Sequence, residues 1–238
     1  MSIKLPTQKT SIAVGPKESI MLFYGPPGIG KTTFVNAMYP RVLFISTDRG
    51  TRWVSAMRLE CGSMTRLKEI VEALEKQKED PYDLVCIDHL DDILNWCETE
   101  VCRKYNIESL SDAKWGKGWK AYKNEIQEIV QRLKRIKSGI VFICHETIRT
   151  VKTRVSELDR TMPSISKSGW NVVIPLVDMV GYCGFKMVKD KETGKRKEVR
   201  TLETQPTETL YAKDRTTRKQ PEKGWMPLDG KLFISTFK

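Results

Sequence analysis

Short apolar runs alternate with amphipathic stretches over the first part of the chain. Four of the runs are almost wholly hydrophobic, as expected of strands buried on both faces of a parallel sheet: SIMLFYG (19–25), RVLFIST (41–47), DLVCID (83–88) and GIVFICHE (139–146). Between these runs, apolar residues recur at helical spacing and predict helices over residues 66–77, 90–101 and 119–136. The alternation predicts an α/β fold whose mainly parallel sheet is covered by helices on both faces.

The rest of the chain follows a different pattern, which predicts antiparallel strands that extend the sheet. Residues 147–170 are polar and basic without periodicity, so we expect a long loop, and such loops are usually functional or disordered. Segments 179–188 and 197–205 flank the turn KETGK and predict a β-hairpin. Two further strands are predicted at 208–215 and 231–237.

The length and composition are those of one globular domain. A chain of 238 residues can bury a sizeable core, which we place at about residues 18–216, between an N-terminal segment (1–17) and a C-terminal strand extension (217–238). The apolar runs are too short to span a bilayer, and the N-terminus has no hydrophobic signal segment. The six cysteines lack metal-ligand spacing and are typical of thiols in a reducing compartment, so a cytoplasmic location is expected.

The charge balance favours a polyanionic partner. Lysine and arginine number 41 against 30 acidic residues, which gives a net charge of +11. A positive field attracts nucleic acid, although many basic proteins are merely soluble.

The stretch GPPGIGKT (25–32) lies between the first predicted strand and a predicted helix. It matches the phosphate-binding pattern G-x-x-x-x-G-K-[ST], whose glycines allow backbone N–H groups to face phosphate oxygens. In this pattern Lys31 contacts the β- and γ-phosphates, and the hydroxyl of Thr32 ligates Mg²⁺. The alternative is a Gly/Pro turn with a chance lysine. We predict ATP and Mg²⁺ as cofactors, with a binding segment that consists of Gly25, Pro26, Pro27, Gly28, Ile29, Gly30, Lys31, Thr32 and Thr33.

Three polar residues end predicted strands, where parallel strands share one edge of the sheet. Asp88 ends LVCID and is predicted to hold Mg²⁺. Asp48 ends LFISTD and is the candidate base for the attacking water, or else an ordinary residue of the DRG turn. His145 ends VFICH and is predicted to sense the γ-phosphate, or to be a structural histidine. Asp91 and Asp92 are interpreted as first-turn residues that interact with a helix dipole.

Taken in order, GPPGIGKT, FISTD, LVCID and FICH, with WGKGW and YAKDR, resemble the RecA-like ATPases of phages that act as single-strand annealing recombinases. The resemblance covers roughly residues 18–216 and implies a RecA-like P-loop NTPase core. It also implies DNA-stimulated ATP hydrolysis and a homo-oligomer, ring or filament, with ATP at the subunit interface. In such proteins a glutamate stands at the position of Asp48 and a glutamine at that of His145. The aspartate is one methylene shorter, which leaves the rate of hydrolysis open.

The resemblance further implies two segments that bind single-stranded DNA. The first, DAKWGKGWKAYK (112–123), carries lysines for phosphates and Trp115, which can stack on a base. Trp119 shares the apolar face of the predicted helix and is expected in the core. The second segment is 147–170. The predicted DNA-binding residues are Lys114, Trp115, Lys117, Arg149, Lys152, Arg154, Arg160 and Lys167.

A second basic pair occurs late in the chain, in LYAKDRT (210–216). Alternation along a strand places Lys213 and Arg215 on one face and Asp214 on the other. The resemblance implies that such a pair completes the ATP site of the adjacent protomer. The alternative is a strand end that carries solvated charges.

These expectations combine into an ATP- and Mg²⁺-dependent protein that binds single-stranded DNA and promotes annealing or strand pairing in recombination. The resemblance adds a single-strand-binding protein as a possible partner and, for a phage-encoded chain, the host cytoplasm as its location. Three alternatives stay open: a DnaB-like hexameric helicase core, an ATP-gated DNA-binding protein with little hydrolysis, and a P-loop kinase for a small molecule.

Overall fold

The computed structural model describes residues 5, 7–8, 15–48, 50–77, 79, 81–152, 157–189 and 194–237. The strands are β1 (Ile20–Tyr24), β2 (Val42–Ser46), β3 (Met57–Glu60), β4 (Leu84–Asp88), β5 (Gly139–Cys144), β6 (Glu146–Lys152), β7 (Glu157–Pro163), β8 (Met179–Lys189), β9 (Arg196–Glu203), β10 (Lys213–Asp214) and β11 (Trp225–Pro227). The α-helices are α1 (Lys31–Asn36), α2 (Met64–Glu75), α3 (Leu90–Tyr105), α4 (Lys117–Leu133), α5 (Lys167–Leu176) and α6 (Gly230–Ile234).

Nine of the described strands form one sheet, in the order β11-β9-β8-β1-β5-β4-β2-β3, with β10 paired to β8 beside this path. The pairs from β8 across to β3 are all parallel. Strands β9, β10 and β11 add to the sheet in antiparallel fashion. The prediction of a mainly parallel sheet with an antiparallel extension is confirmed.

Helices cover both faces of the large sheet, and the side chains on both faces of its central strand β1 are apolar. Leu22 and Tyr24 lie in one core cluster, which also holds the buried residues of α2, α3, α4 and α5. Met21 and Phe23 point the other way, into a second cluster with apolar residues of α1 and α6. These alternating side chains are fully buried, so the strand is sealed between two layers.

The strand order brings several strand ends to the same edge of the sheet. Strand β5 lies between β1 and β4, with Tyr24 opposite Cys144 and Asp88 opposite Ile143. The carboxyl ends of β1, β4 and β5 are therefore level. We call this side the carboxyl edge, and the side where these strands begin the amino edge.

The expectation of an unstructured loop at 147–170 is wrong. Strands β6 and β7 pair over this region as an antiparallel hairpin, and α5 follows it. The hairpin forms a sheet of its own and buries little of either face, so the sequence lacks the apolar alternation by which strands are recognised. Its β-branched residues, in TIRTV (147–151), were the available signal.

Two other predictions of strands also need correction. Residues 231–237 do not form a strand, because Asp229 caps α6 by accepting a hydrogen bond from the Leu232 amide (2.9 Å). Of segment 208–215, only β10 joins the large sheet, while Leu210 bridges to Thr161 of β7. The predicted hairpin of 179–188 and 197–205 is confirmed as β8 and β9, although part of its turn lies outside the described residues.

No helix of the described residues combines the length and the apolar character that crossing a bilayer requires.

Candidate functional site

The loop between β1 and α1 approaches its neighbours closely at a glycine. A methyl group on Gly25 would lie 2.1 Å from the carbonyl oxygen of Cys183 in β8, which leaves no room for any side chain. Gly28 and Gly30 have φ angles of 76° and 103°, a conformation that other residues rarely adopt. The glycines of the motif are thus required by the path of this backbone.

Lys31 begins α1 and turns back over the loop. Its Nζ donates hydrogen bonds to the carbonyl oxygens of Gly25 (2.8 Å) and Pro26 (3.0 Å), and only 6% of the residue is exposed. Burial lowers the pKa of Lys31, and nearby acidic groups, Asp88 among them, oppose that shift. The present partners of the ammonium group are neutral carbonyl oxygens, and a charged phosphate oxygen would form a stronger hydrogen bond with it.

Thr32 and Asp88 meet across the sheet. The Thr32 hydroxyl donates to Oδ2 of Asp88 at 2.8 Å, and Asp88 is buried at the end of β4. A hydroxyl and a carboxylate side by side are ligands that suit Mg²⁺, which takes few protein oxygens and completes its shell with water and phosphate. The two residues thus fit the predicted ion. Among the described residues there is no group of three or more His, Cys, Asp or Glu side chains that could enclose a metal by itself.

His89 is a site residue that sequence reasoning missed. Its Nε2 lies 3.0 Å from Oδ1 of Asp88, and its Nδ1 lies 3.8 Å from Oδ2 of Asp48. Burial works against protonation, but the hydrogen bond and charge of Asp88, with Asp48 and Asp91, prevail and raise the pKa of His89. The available signal was its position directly after the strand-ending aspartate.

His145 lies beside His89, with ring centroids 4.4 Å apart, so the two histidines of the chain are in contact. Nδ1 of His145 is 2.5 Å from Oδ2 of Asp91 in the first turn of α3. Asp91 therefore has a specific partner in addition to the helix dipole. Because β6 starts at Glu146, the hairpin β6–β7 begins at the residue that follows His145.

Asp48 combines the two interpretations that its sequence position allowed. Its Oδ1 accepts a hydrogen bond from the amide of Gly50 (2.8 Å), which is the turn arrangement. Its other oxygen faces His89, and the residue also lines the cavity of the site. One carboxylate oxygen is thus held by the turn, and the other faces His89.

These residues surround a cavity of about 360 Å³. Trp53, which the sequence did not single out, also lines it and is 94% exposed. The side chain of Ile29 is buried in the core instead, so this residue belongs to the loop through its backbone. The lining consists of Pro27, Gly28, Gly30, Lys31, Thr32, Thr33, Asp48, Gly50, Trp53, Val54, Asp88, His89 and His145.

The predicted DNA-binding residues that the structure describes lie on a short 3₁₀ helix (Lys114–Gly116), α4, β6, β7 and α5. Trp115 is 94% exposed, between exposed Lys114 and Lys117, and its φ of 61° is unusual for a tryptophan. Trp119 is 46% exposed, so its expected place in the core is wrong, although its ring makes a T-shaped contact with the buried Tyr122.

Three cations of the second segment have partners within the described part of the chain. Arg149 donates to the carbonyl of Ile165, Arg160 donates to the carbonyl of Thr207 (2.8 Å), and Lys152 pairs with Glu157 (3.0 Å). Lys167 is exposed at the start of α5. Arg154 lies outside the described residues.

Lys213 and Arg215 share a face, as predicted, but they lie at the amino edge. Both donate hydrogen bonds to the carbonyl of Val177, at 2.7 Å and 3.1 Å, and Arg215 also pairs with Asp178 (3.0 Å). Asp214 turns away to Arg218 (2.7 Å). Burial lowers the pKa of Lys213, with Arg215 adding to the shift. The pair is separated from the P-loop of its own chain by the length of β1.

Replacing Lys31 by alanine should lower the affinity for ATP by roughly ten- to a hundredfold, because charge-assisted hydrogen bonds to the phosphates are lost. Calorimetric titration measures the affinity, and Lys134→Ala, which removes an exposed lysine just after α4, is the control. An affinity equal to that of the unaltered protein would mean that this loop does not hold a triphosphate.

Comparison with known proteins agrees with this geometry. The family model described as an AAA domain matches residues 17–216, most of the chain and all of the residues around the cavity. No curated protein matches the chain. The chain belongs to the AAA domain family and is a P-loop ATPase of that type.

Proposed function

We propose that this ATPase is RecA-like, depends on Mg²⁺, binds single-stranded DNA, and promotes annealing or strand pairing in recombination. The observation that carries the proposal is the position of His145. This residue lines the phosphate cavity, and the hairpin β6–β7, which carries Arg149, Lys152 and Arg160, begins at the next residue. In this proposal, a change at the γ-phosphate moves His145, and the movement passes to the hairpin through one peptide bond.

The charge distribution supports a nucleic acid as the polyanion. The net charge is +11, and Lys114, Lys117 and Lys167 are exposed on segments that face away from the core. Trp115 stands between two of these lysines with its ring in solvent. Lysines that contact phosphates beside an exposed aromatic ring are the usual means of holding single strands without sequence preference.

The residues of the site divide the work of hydrolysis among them. Lys31 binds the phosphate chain. Thr32 and Asp88 would hold Mg²⁺, which when bound would neutralise charge that develops on the phosphate oxygens. Asp48 accepts the proton of the attacking water through its oxygen on the cavity side. His89 fixes the orientation of the Asp88 carboxylate through their 3.0 Å contact.

A second candidate, an ATP-gated DNA-binding protein with little hydrolysis, is favoured by the hydrogen bond between Asp48 and Gly50. That bond occupies one oxygen of a side chain already one methylene shorter than glutamate. Binding of ATP would then stabilise the DNA-bound form without rapid turnover.

Single-stranded DNA should raise the rate of ATP hydrolysis, and Asp48→Asn should abolish most of that rate while ATP still binds, because an amide cannot accept the proton. Phosphate release with and without an oligonucleotide measures this, with Asp92→Asn as the control because Asp92 instead bonds the Thr47 hydroxyl. If DNA binding requires ATP but turnover stays negligible, the second candidate is correct. If DNA changes neither turnover nor ATP affinity, both are wrong.

Affinity for single-stranded DNA should fall steeply with salt, because each neutralised phosphate releases counterions. Replacing Lys114, Lys117 and Lys167 together by glutamine should reduce the slope of log K against log salt by about 2. Fluorescence anisotropy at several salt concentrations measures the slope. The control replaces Lys134, Lys223 and Lys231, three exposed lysines outside the proposed DNA-binding segments. An equal loss of slope in both variants would indicate a non-specific field instead of a DNA site.

Lys213 and Arg215 complete the ATP site of an adjacent protomer in the proposed assembly. For this role, the amino edge of one protomer must face the P-loop of the next. Lys213 and Arg215 must also release their hydrogen bonds to the carbonyl of Val177, just after α5. Arg215→Ala and Lys31→Ala proteins should each be inactive alone, and their mixture should regain part of the ATPase activity. Co-assembly without regained activity would exclude this role.

A further inference from the structure

The β8–β9 hairpin extends beyond the carboxyl edge of the sheet. Tyr182 of β8 pairs with Tyr24, the last residue of β1, and β8 then continues to Lys189. Strand β9 returns along it, with Arg200 opposite Phe185. The hairpin therefore runs alongside the P-loop, on the side opposite to β5.

Arg200 turns from this hairpin toward the P-loop. Leu202, which lies on the same face of β9, packs in the core cluster that contains Phe34 of α1. A methyl group built on Gly30 would lie 3.3 Å from Nη1 of Arg200. The guanidinium thus stands beside the glycine that precedes Lys31.

The guanidinium of Arg200 is exposed, and it has no hydrogen bond or ion pair with any residue of the described part of the chain. By contrast, Arg218 is buried and pairs with Asp214 at 2.7 Å. An exposed guanidinium beside a phosphate-binding loop is suited to phosphate, because it can donate two parallel N–H hydrogen bonds to the phosphate oxygens.

We propose that Arg200 binds the phosphate chain of the nucleotide from within the same chain. Gly30 belongs to the backbone that holds the α- and β-phosphates, whereas Lys31 reaches the β- and γ-phosphates. Arg200 therefore contacts the diphosphate part that ADP and ATP share, and it increases the affinity for both. This inference rests on nucleotide binding at the P-loop. It assigns Arg200 to binding, so its effect is expected in affinity more than in the rate of turnover.

The test is calorimetric titration of the full chain with ADP and with a non-hydrolysable ATP analogue, both with Mg²⁺. Arg200→Ala should weaken both nucleotides by about tenfold, the effect of one charge-assisted hydrogen bond. Arg200→Lys should lose less, because it keeps the charge. The control is Arg196→Ala, which removes an exposed arginine on the same face of β9, farther from the P-loop. It should change neither affinity, and thermal unfolding of Arg200→Ala without nucleotide should match the unaltered protein.

Several results would overturn the assignment. Unchanged nucleotide affinities in Arg200→Ala would overturn it. Equal losses of affinity in Arg196→Ala would also overturn it, because they would mean that positive charge anywhere on the hairpin has the same effect. A lowered unfolding temperature without nucleotide would show that Arg200 braces the loop. Lys31→Ala separates the two levels of the argument: if that variant also binds nucleotide normally, the P-loop site itself is wrong, and if it alone loses binding, only the role of Arg200 fails.

Discussion

Strand β1 is buried on both faces and paired on both sides, and this constraint decides where charge can lie in the protein. An ionised side chain within such a strand would lose its hydration without gaining a partner, at a cost of several kcal/mol. The charged groups around β1 are therefore found at its two ends. At the amino end, Ile20 donates its amide hydrogen to Asp178 (2.9 Å), which also holds Arg215. At the carboxyl end lie Lys31 and the carboxylates of the site.

The groups at the carboxyl end are coupled because they are close together and poorly solvated. Lys31 and Asp88 influence each other electrostatically, and Asp88 contacts His89. His89 in turn stacks on His145, which holds Asp91. Interactions between such charges are stronger than in water. An anion at the P-loop changes the charge balance at Lys31, the first of these groups, and His145 is the residue before the β6–β7 hairpin. The P-loop and the β6–β7 hairpin are thus linked through a short series of neighbouring side chains.

The sequence predicts the parts of this protein that depend on local pattern. The parallel strands, the P-loop, Asp88 and His145 follow from apolar runs and from residues at strand ends, because a buried strand must be apolar and must end in polar residues. Residues that tertiary structure brings to the site from distant parts of the chain are not predictable from local pattern. Arg200 reaches Gly30 through the register of β8 and β9, and Trp53 reaches the cavity through a short 3₁₀ turn. Hairpin β6–β7 was not predicted because hydrogen bonds between its strands, and not burial of apolar side chains, stabilise it.

The cations that surround the P-loop differ in what they can do for a triphosphate. Lys31 is buried and donates two hydrogen bonds to the backbone of its own loop, so it is already in place for any nucleotide that enters. Arg200 is exposed and free of described partners, so it adds to binding without first breaking a contact. Lys213 and Arg215 must first give up hydrogen bonds at the amino edge, so any contact with a neighbouring site costs energy that only assembly can offset. A monomer with Lys31 and Arg200 would therefore hold nucleotide well. In the proposed assembly, the further positive charge that favours rapid turnover would come from Lys213 and Arg215 of a second copy.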